Sequence, residues 1–257
     1  MNRPSYFPTP RSGVEDLLKR GDGVLQEAMS RNQVRFRKGH RLVSVGETQD
    51  RVYRLVTGIV ARVRHLPDGR RQISCIFTPG DLVPARAIMV ERVPDSIEVM
   101  SNATMHFLPC RSLINLAMRH PEVAFRLMWQ ISEDERRLRN NNVMLAKGTA
   151  KERIAMLIAD ILGRLALAYG DAAGPGRVVL LRQQDIADLV GLTVVHVNRT
   201  LRSLREEGAI ELAVGAIRVR DPGAIFRYAA PMLDIDEVTA PEFGAPYKGS
   251  EPDRHPE

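Results

Sequence analysis

With 257 residues, 44% of them hydrophobic and 26% charged, the chain can bury the core of one large or two modest domains. It holds no run of about 18 apolar residues free of charge, and its opening MNRPSYFPTPRSG lacks the apolar stretch of a secretion signal, which together predict a cytoplasmic protein with no membrane partner. The net charge of +6 is uneven: from Pro231 onward seven acids face only Lys248 and Arg254, so the tail carries −5 and the body +11, a balance that admits an anionic partner without requiring one.

Residues 1–13 are expected to be disordered. From Val14 to Ser30 the apolar residues Val14, Leu17, Leu18, Leu25 and Met29 follow a helical period. Between Gln33 and Pro109 the period shortens towards two. RLVSVG, RVYRLVTGIVARVRHL, RQISCIFTPGDLV and SIEVMSNATMHFLPC read as short strands parted by Gly, Pro and Asp, which predicts a small barrel or roll. HLPDGRRQ is a hairpin signal, because Pro67 presets a turn dihedral and Gly69 tolerates positive φ. Ile73, Cys75 and Phe77 alternate onto one face, which favours a buried Cys75 over a redox switch.

After Cys110 the pattern is helical. Pro121 opens a long helix at its first turn. Ala124, Ile131, Leu138 and Leu145 recur every seven residues, one seam of a coiled coil between two copies of the chain. The companion positions Leu127, Asp134 and Asn141 are mixed, and a buried Asn141 would set the register. The plainer alternative is a helix packed only on its own domain. Gly148 marks a hinge, Ala150 to Tyr169 a core helix, GDAAGPGR a flexible loop, and the Pro-, Gly- and acid-rich residues 231–257 a disordered tail.

The segment DIADLVGLTVVHVNRTLRSLREEGAI carries the chemistry. Ile186, Leu189 and Val190 form one apolar stripe, and the small Ala187 lets a second helix cross closely. Gly191 suits the left-handed residue that ends a helix, and Thr193 can cap the next and is itself a candidate DNA contact. Val194, Val197, Leu201 and Leu204 then form an inward stripe, with Gly208 as terminator. This is a helix-turn-helix arrangement, which leaves Val195, His196, Asn198, Arg199, Arg202 and Ser203 outside. Arg199 can donate two hydrogen bonds to guanine, Asn198 can bond a base edge or a phosphate, and Val195 can touch a thymine methyl. Gln183, Gln184 and Arg202 suit phosphates, as do Arg218 and Arg220 on the hairpin AIELAVGAIRVRDP. Charge alone does not settle the matter, since residues 148–230 hold eleven basic and nine acidic side chains.

QQDIADLVGLTVVHVNRTLRSLREEGAIEL resembles the winged helix-turn-helix of the Crp/Fnr superfamily of bacterial transcription regulators, whose usual form is close to R-Q-[DE]-I-A-x-x-[LV]-G-[LC]-[ST]-x-E-T-[VI]-[SG]-R. GETQDRVYRLVTGIVARVRHLPDGRRQISCIFTPGDLV resembles the β-roll of cyclic-nucleotide-type sensor domains, with Gly46-Glu47, Gly58, Asp68-Gly69 and Pro79-Gly80-Asp81 in place, and KERIAMLI matches the start of the family's DNA-binding domain. The resemblance implies an α+β chain: a sensor roll over 14–120, a dimerisation helix over 121–147 and a winged helix-turn-helix over 148–230. It implies a homodimer on two-fold symmetric double-stranded DNA, with RNA polymerase as a further partner.

The departures from the family pattern are specific. Members that bind cyclic AMP have Gly-Glu-Leu after the PGD turn and a later Arg-Ser; here Pro84, Ala85 and Arg86 stand at the first, and Asp95-Ser96 at the second. A carboxylate where a cyclic phosphate needs a cation is repulsive, so cyclic AMP is not the expected signal. Arg86 and Ser96 remain candidate effector contacts for an unidentified small molecule. The Fnr cysteine cluster and the Cys and His haem ligands of carbon-monoxide sensors are absent, no metal-ligand spacing occurs, and no cofactor is expected. On the recognition helix Val195 replaces a common Glu and His196 a Thr, while Arg199 is retained, which predicts an altered half-site that keeps guanine opposite Arg199. Thiol sensing through Cys75 or Cys110, and a protein-interaction module that does not bind DNA, are the alternative readings. An enzyme is not expected, for want of GxxxxGK[ST], GxSxG or paired His/carboxylate motifs.

Overall fold

The computed structural model describes residues 10–11, 13–169 and 178–233. The loop GDAAGPGR and most of the two segments expected to be disordered lie outside the described residues. Helix α1 (Val14–Ser30) buries Leu18, Gly21, Leu25 and Met29 along one side. Eight strands follow before the next helix: β1 (Gln33–Phe36), β2 (Arg41–Val43), β3 (Arg51–Thr57), β4 (Val60–His65), β5 (Arg71–Phe77), β6 (Leu82–Val83), β7 (Ser96–Val99) and β8 (Ala103–Pro109). They form two antiparallel four-stranded sheets, in the orders β1-β8-β3-β6 and β2-β7-β4-β5. Val52, Leu55, Val60, Phe77, Ile97 and Met105 fill the roll, and Leu25 and Met29 of α1 close it. Burial of one face of each strand makes the alternating pattern legible in the chain.

One strand breaks that alternation. Between Arg62 and Val63 of β4 the pairing with β5 shifts register, so Ser74 is an extra residue on β5. Cys75 and Phe77 therefore pack in the roll, whereas Ile73 and Ile76 join the second core, and the single face expected for Ile73, Cys75 and Phe77 is not kept.

Helices α2 (Cys110–Arg119) and α3 (Pro121–Lys147) lead out of the roll. Along α3, Val123, Gln130, Glu133, Asn140 and Met144 are buried, while Met128, Ile131, Leu138 and Leu145 are exposed, Met128 and Ile131 by more than half. The companions expected for the seam face the other way. Leu127 packs on the roll, Asp134 pairs with Arg62 and Arg137, and Asn141 is half-buried and donates to the Ser74 carbonyl. A helix that must cover its own roll commits those positions inward, so the exposed stripe runs through Met128, Glu135 and Asn142 instead.

The second core is built by α4 (Ala150–Tyr169), β9 (Val178–Val179), α5 (Gln183–Val190), α6 (Val194–Glu206), β10 (Ile210–Ala213), β11 (Ala216–Val219) and α7 (Pro222–Ala229). Ile154, Ile158, Leu162, Ile186, Val197, Leu201, Ile225 and Phe226 meet there. Two elements had no clear sequence signal: β9 pairs with β11 through only two residues, and α7 starts where Asp221 accepts from the Ala224 N–H. Ala230–Met232 form a 3-10 turn and Leu233 is buried, so described, packed structure continues to residue 233.

The halves meet at buried charge. Asp81 of the PGD turn lies against Arg137 of α3 at 3.4 Å and Arg164 of α4 at 3.3 Å. Arg164 also donates to the Ile76 carbonyl at 2.7 Å and to Asp160 at 2.6 Å. Burial alone would push the Asp81 carboxyl up, but the two guanidiniums and the Thr78 N–H outweigh it and hold it below the usual carboxylate range. Among the described residues no helix is long and apolar enough to cross a membrane.

Candidate nucleic-acid interface

Helix α5 ends at Gly191, whose φ of 64° lies in the left-handed region open to glycine. Two residues later the Thr193 hydroxyl accepts from the His196 N–H at 3.3 Å and starts α6. Val197, Leu201 and Leu204 face the core. Val194, expected on the same stripe, is 36% exposed. It is the first residue of the helix, where side chains tilt back over the turn and away from the crossing with α5.

The opposite face of α6 is open. Val195 is 75% exposed, and His196, Asn198, Arg199 and Arg202 are exposed with it. Asn198 donates to the Gln183 Oε1 at 3.2 Å, so the first turn of α5 and the face of α6 are joined. Ser203 belongs elsewhere: it is half-buried and donates to Glu207 at 2.7 Å. Hydrogen bonds from Lys151, Tyr228 and Ser203 hold the Glu207 carboxyl down to about 2, which ties the end of α6 to α4 and α7.

The wing is the β10–β11 hairpin, turning at Gly215 with φ 68°. Its two arginines are not equivalent to those of α6. Arg220 and Arg218 approach the same Glu211 carboxylate at 2.6 and 3.7 Å, which offsets part of their positive field. Val214 at the wing tip is fully exposed.

The expected effector contacts are set apart in character. Arg86 is exposed on a 3-10 turn (Ala85–Ile88), while Ser96 is buried in β7. Asp95 lies 2.6 Å from Arg64, so the carboxylate that replaces a cation already has its own partner. Neither cysteine is poised as a thiolate. Burial pushes the Cys75 thiol up to about 11, and burial with nearby Asp50 raises that of Cys110. Among the described residues no group of three or more His, Cys, Asp or Glu is placed to hold a metal.

The Crp-like helix-turn-helix domain model matches residues 152–228, and the cyclic nucleotide-binding domain model matches residues 33–120. The nitrogen fixation regulation protein FixK of Azorhizobium caulinodans is 31% identical over 195 residues, covering 75% of this chain and 77% of that protein. The chain belongs to the Crp/Fnr family of transcription regulators. The transcriptional activator protein FnrL of Cereibacter sphaeroides is 30% identical, covering 69% of this chain and 71% of that protein. The solved structure of FixK2 from Bradyrhizobium japonicum superposes with a TM-score of 0.65 at 25% identity, covering 77% of this chain and 96% of that one. This Crp/Fnr protein is thus a helix-turn-helix DNA-binding regulator of the FixK/Fnr kind and not an enzyme.

One contributor has no trace in the motif. Arg71, at the start of β5 in the sensor roll, donates through Nη2 to Asp185 at 2.6 Å and through Nε to Asp188 at 2.8 Å. The partners are more than a hundred residues apart in sequence, and no local period or spacing could have joined them.

Proposed function

We propose that the protein acts as a homodimer that places one α6 in each of two major grooves of a two-fold symmetric operator, with half-site centres roughly 34 Å apart. The observation that carries this reading is the division of α6: Val197, Leu201 and Leu204 are consumed by the domain core, and Val195, His196, Asn198, Arg199 and Arg202 are left to solvent. Arg199 then donates to guanine O6 and N7, and Val195 contacts a thymine methyl. The α5 start, with Gln183 and Gln184, meets phosphate, as does Arg202. The exposed stripe Met128, Ile131, Leu138 and Leu145 supports pairing of two α3 helices, since an apolar stripe of this length in water favours burial.

The signal is not cyclic AMP in this reading. Asp95 and Arg64 are committed to each other, and Pro84-Ala85 after the PGD turn bring neither a cation for a cyclic phosphate nor a carboxylate for a ribose. The raised Cys75 and Cys110 thiols weigh against thiol sensing. Whatever signal acts does so by differential affinity for two dispositions of the DNA-binding domain about Gly148. Selection of bound sequences from a random duplex pool tests the proposal. A palindromic consensus containing guanine at one position per half-site is the expected outcome; recovery of unselected sequence, or of a single unrepeated half-site, would refute it.

A further inference from the structure

The α5 segment has an electrostatic difficulty. Its N-terminal turn is the part of the domain offered to phosphate, yet it carries two carboxylates, Asp185 and Asp188, within that turn and the next. Asp185 is fully buried and Asp188 largely so. Within the DNA-binding domain Asp185 has one cation, Arg182, at 3.0 Å, and it also accepts from the Arg182 backbone N–H at 3.2 Å. Among the described residues of that domain, Asp188 accepts from the neutral Gln184 amide, at 2.8 Å. Two carboxylates with one cation leave this end of α5 negative, facing a polyanion.

The missing cation comes from the other domain. The Arg71 guanidinium spans both carboxylates with separate nitrogens, the fork geometry that only arginine offers. Its third nitrogen lies 3.8 Å from Glu98, which also holds His65 at 2.8 Å and so anchors the arginine on the roll. The partners extend to a candidate phosphate contact, from Arg71 through Asp188 to Gln184, and Arg71 shares Asp185 with the backbone N–H of Arg182.

We propose that Arg71 of the sensor roll is a positioning residue for DNA binding. It neutralises Asp185 and Asp188 and orients the first turn of α5 for phosphate, so that full affinity requires the roll docked on the DNA-binding domain. The proposal rests on the reading of the α5 start as a phosphate contact. In the docked arrangement the face of α6 stays open, so the contact does not mask the recognition helix. A signal that undocks the roll therefore weakens binding by withdrawing a charge, without touching any base contact. Because the effect acts at phosphates, it scales affinity for all sequences alike.

The test uses the full chain, a labelled duplex recovered by pool selection, and its scrambled counterpart. Arg71→Gln is expected to weaken both duplexes by a similar factor, on the order of tenfold, the scale of an interdomain coupling. Adding Asp188→Asn removes the carboxylate left unpaired and is expected to return most of the loss, although it restores no contact with the roll. Arg71→Lys keeps the charge without the fork and is expected to fall between. Circular dichroism and melting of each variant establish that it is folded. Unchanged binding by Arg71→Gln, or a loss that Asp188→Asn leaves intact, would overturn the proposal. Arg199→Ala separates this from the reading beneath it. If that variant loses its preference for the selected duplex while Arg71→Gln binds as the parent does, only the role of Arg71 has failed. If neither substitution changes binding, the interface itself is misassigned and the proposal falls with it.

Discussion

Arg164 offers the most direct measure of how firmly the sensor roll and the DNA-binding domain are joined. Its side chain is 6% exposed and donates to Asp160, to the Ile76 carbonyl and to Asp81. Arg164→Met keeps the aliphatic stem and removes the charge. Asp160 is partly exposed and rehydrates, so that pair contributes little. The Ile76 carbonyl lies in a strand of the roll, and Asp81 stays buried with Arg137 at 3.4 Å and the Gln130 amide also at 3.4 Å. Breaking a buried ion pair costs roughly 3–5 kcal/mol when one partner is left uncompensated. Because Arg137 remains, the lower end applies, and the expected loss is about 3 kcal/mol. Urea unfolding followed by circular dichroism measures it, at one protein concentration throughout because association would shift the apparent stability. Asp81→Asn in both backgrounds completes a cycle, with an expected coupling on the order of 1–3 kcal/mol. A loss below about 1 kcal/mol, the worth of a surface pair, or strict additivity in the cycle, would show that the buried cluster does not join the domains.

Four further outcomes follow from the same geometry. Arg199→Ala should cost about 1–3 kcal/mol of binding to the selected duplex and relax preference at one base pair, read by competition with single-base variants. Leu138→Asp places a charge in the exposed stripe of α3 and should shift the chain from dimer to monomer in analytical ultracentrifugation, with secondary structure retained. Gly191→Ala forces a side chain into a left-handed conformation, with its Cβ 3.1 Å from a Leu145 methyl carbon, and should lower stability by about 1–2 kcal/mol in a thermal melt. Burial pushes the Asp185 carboxyl up, but the Arg182 and Arg71 hydrogen bonds outweigh it and leave it below the usual range. Its stabilisation is therefore present above the unfolded value, about 3.9, and lost as the pH falls through the lower folded value. Arg71→Gln should raise the midpoint of acid unfolding, and an unmoved midpoint would show that Arg71 does not act on Asp185.

The sequence by itself determined the elements whose causes are local. The period of two between Gln33 and Pro109, the Pro67–Gly69 hairpin, Pro121 at the start of α3, and Gly191 and Thr193 around the turn each state a backbone preference within a few residues, and the fold follows them. The same holds for the face of α6, because a helix with Val197, Leu201 and Leu204 inward has its other side assigned. What only the tertiary structure decided are the relations between distant residues. The open α3 positions Ile131, Leu138 and Leu145 are legible in the period, but their companions are not, since Leu127, Asp134 and Asn141 are taken by the roll. The extra residue at Ser74, the two-residue β9, and the Glu211 partner shared by Arg218 and Arg220 depend on pairing between strands. Arg71 on Asp185 and Asp188, and Asp81 between Arg137 and Arg164, depend on how one domain lies against another. Periodicity reports which side of an element is apolar; it does not report which charge waits on the surface it meets.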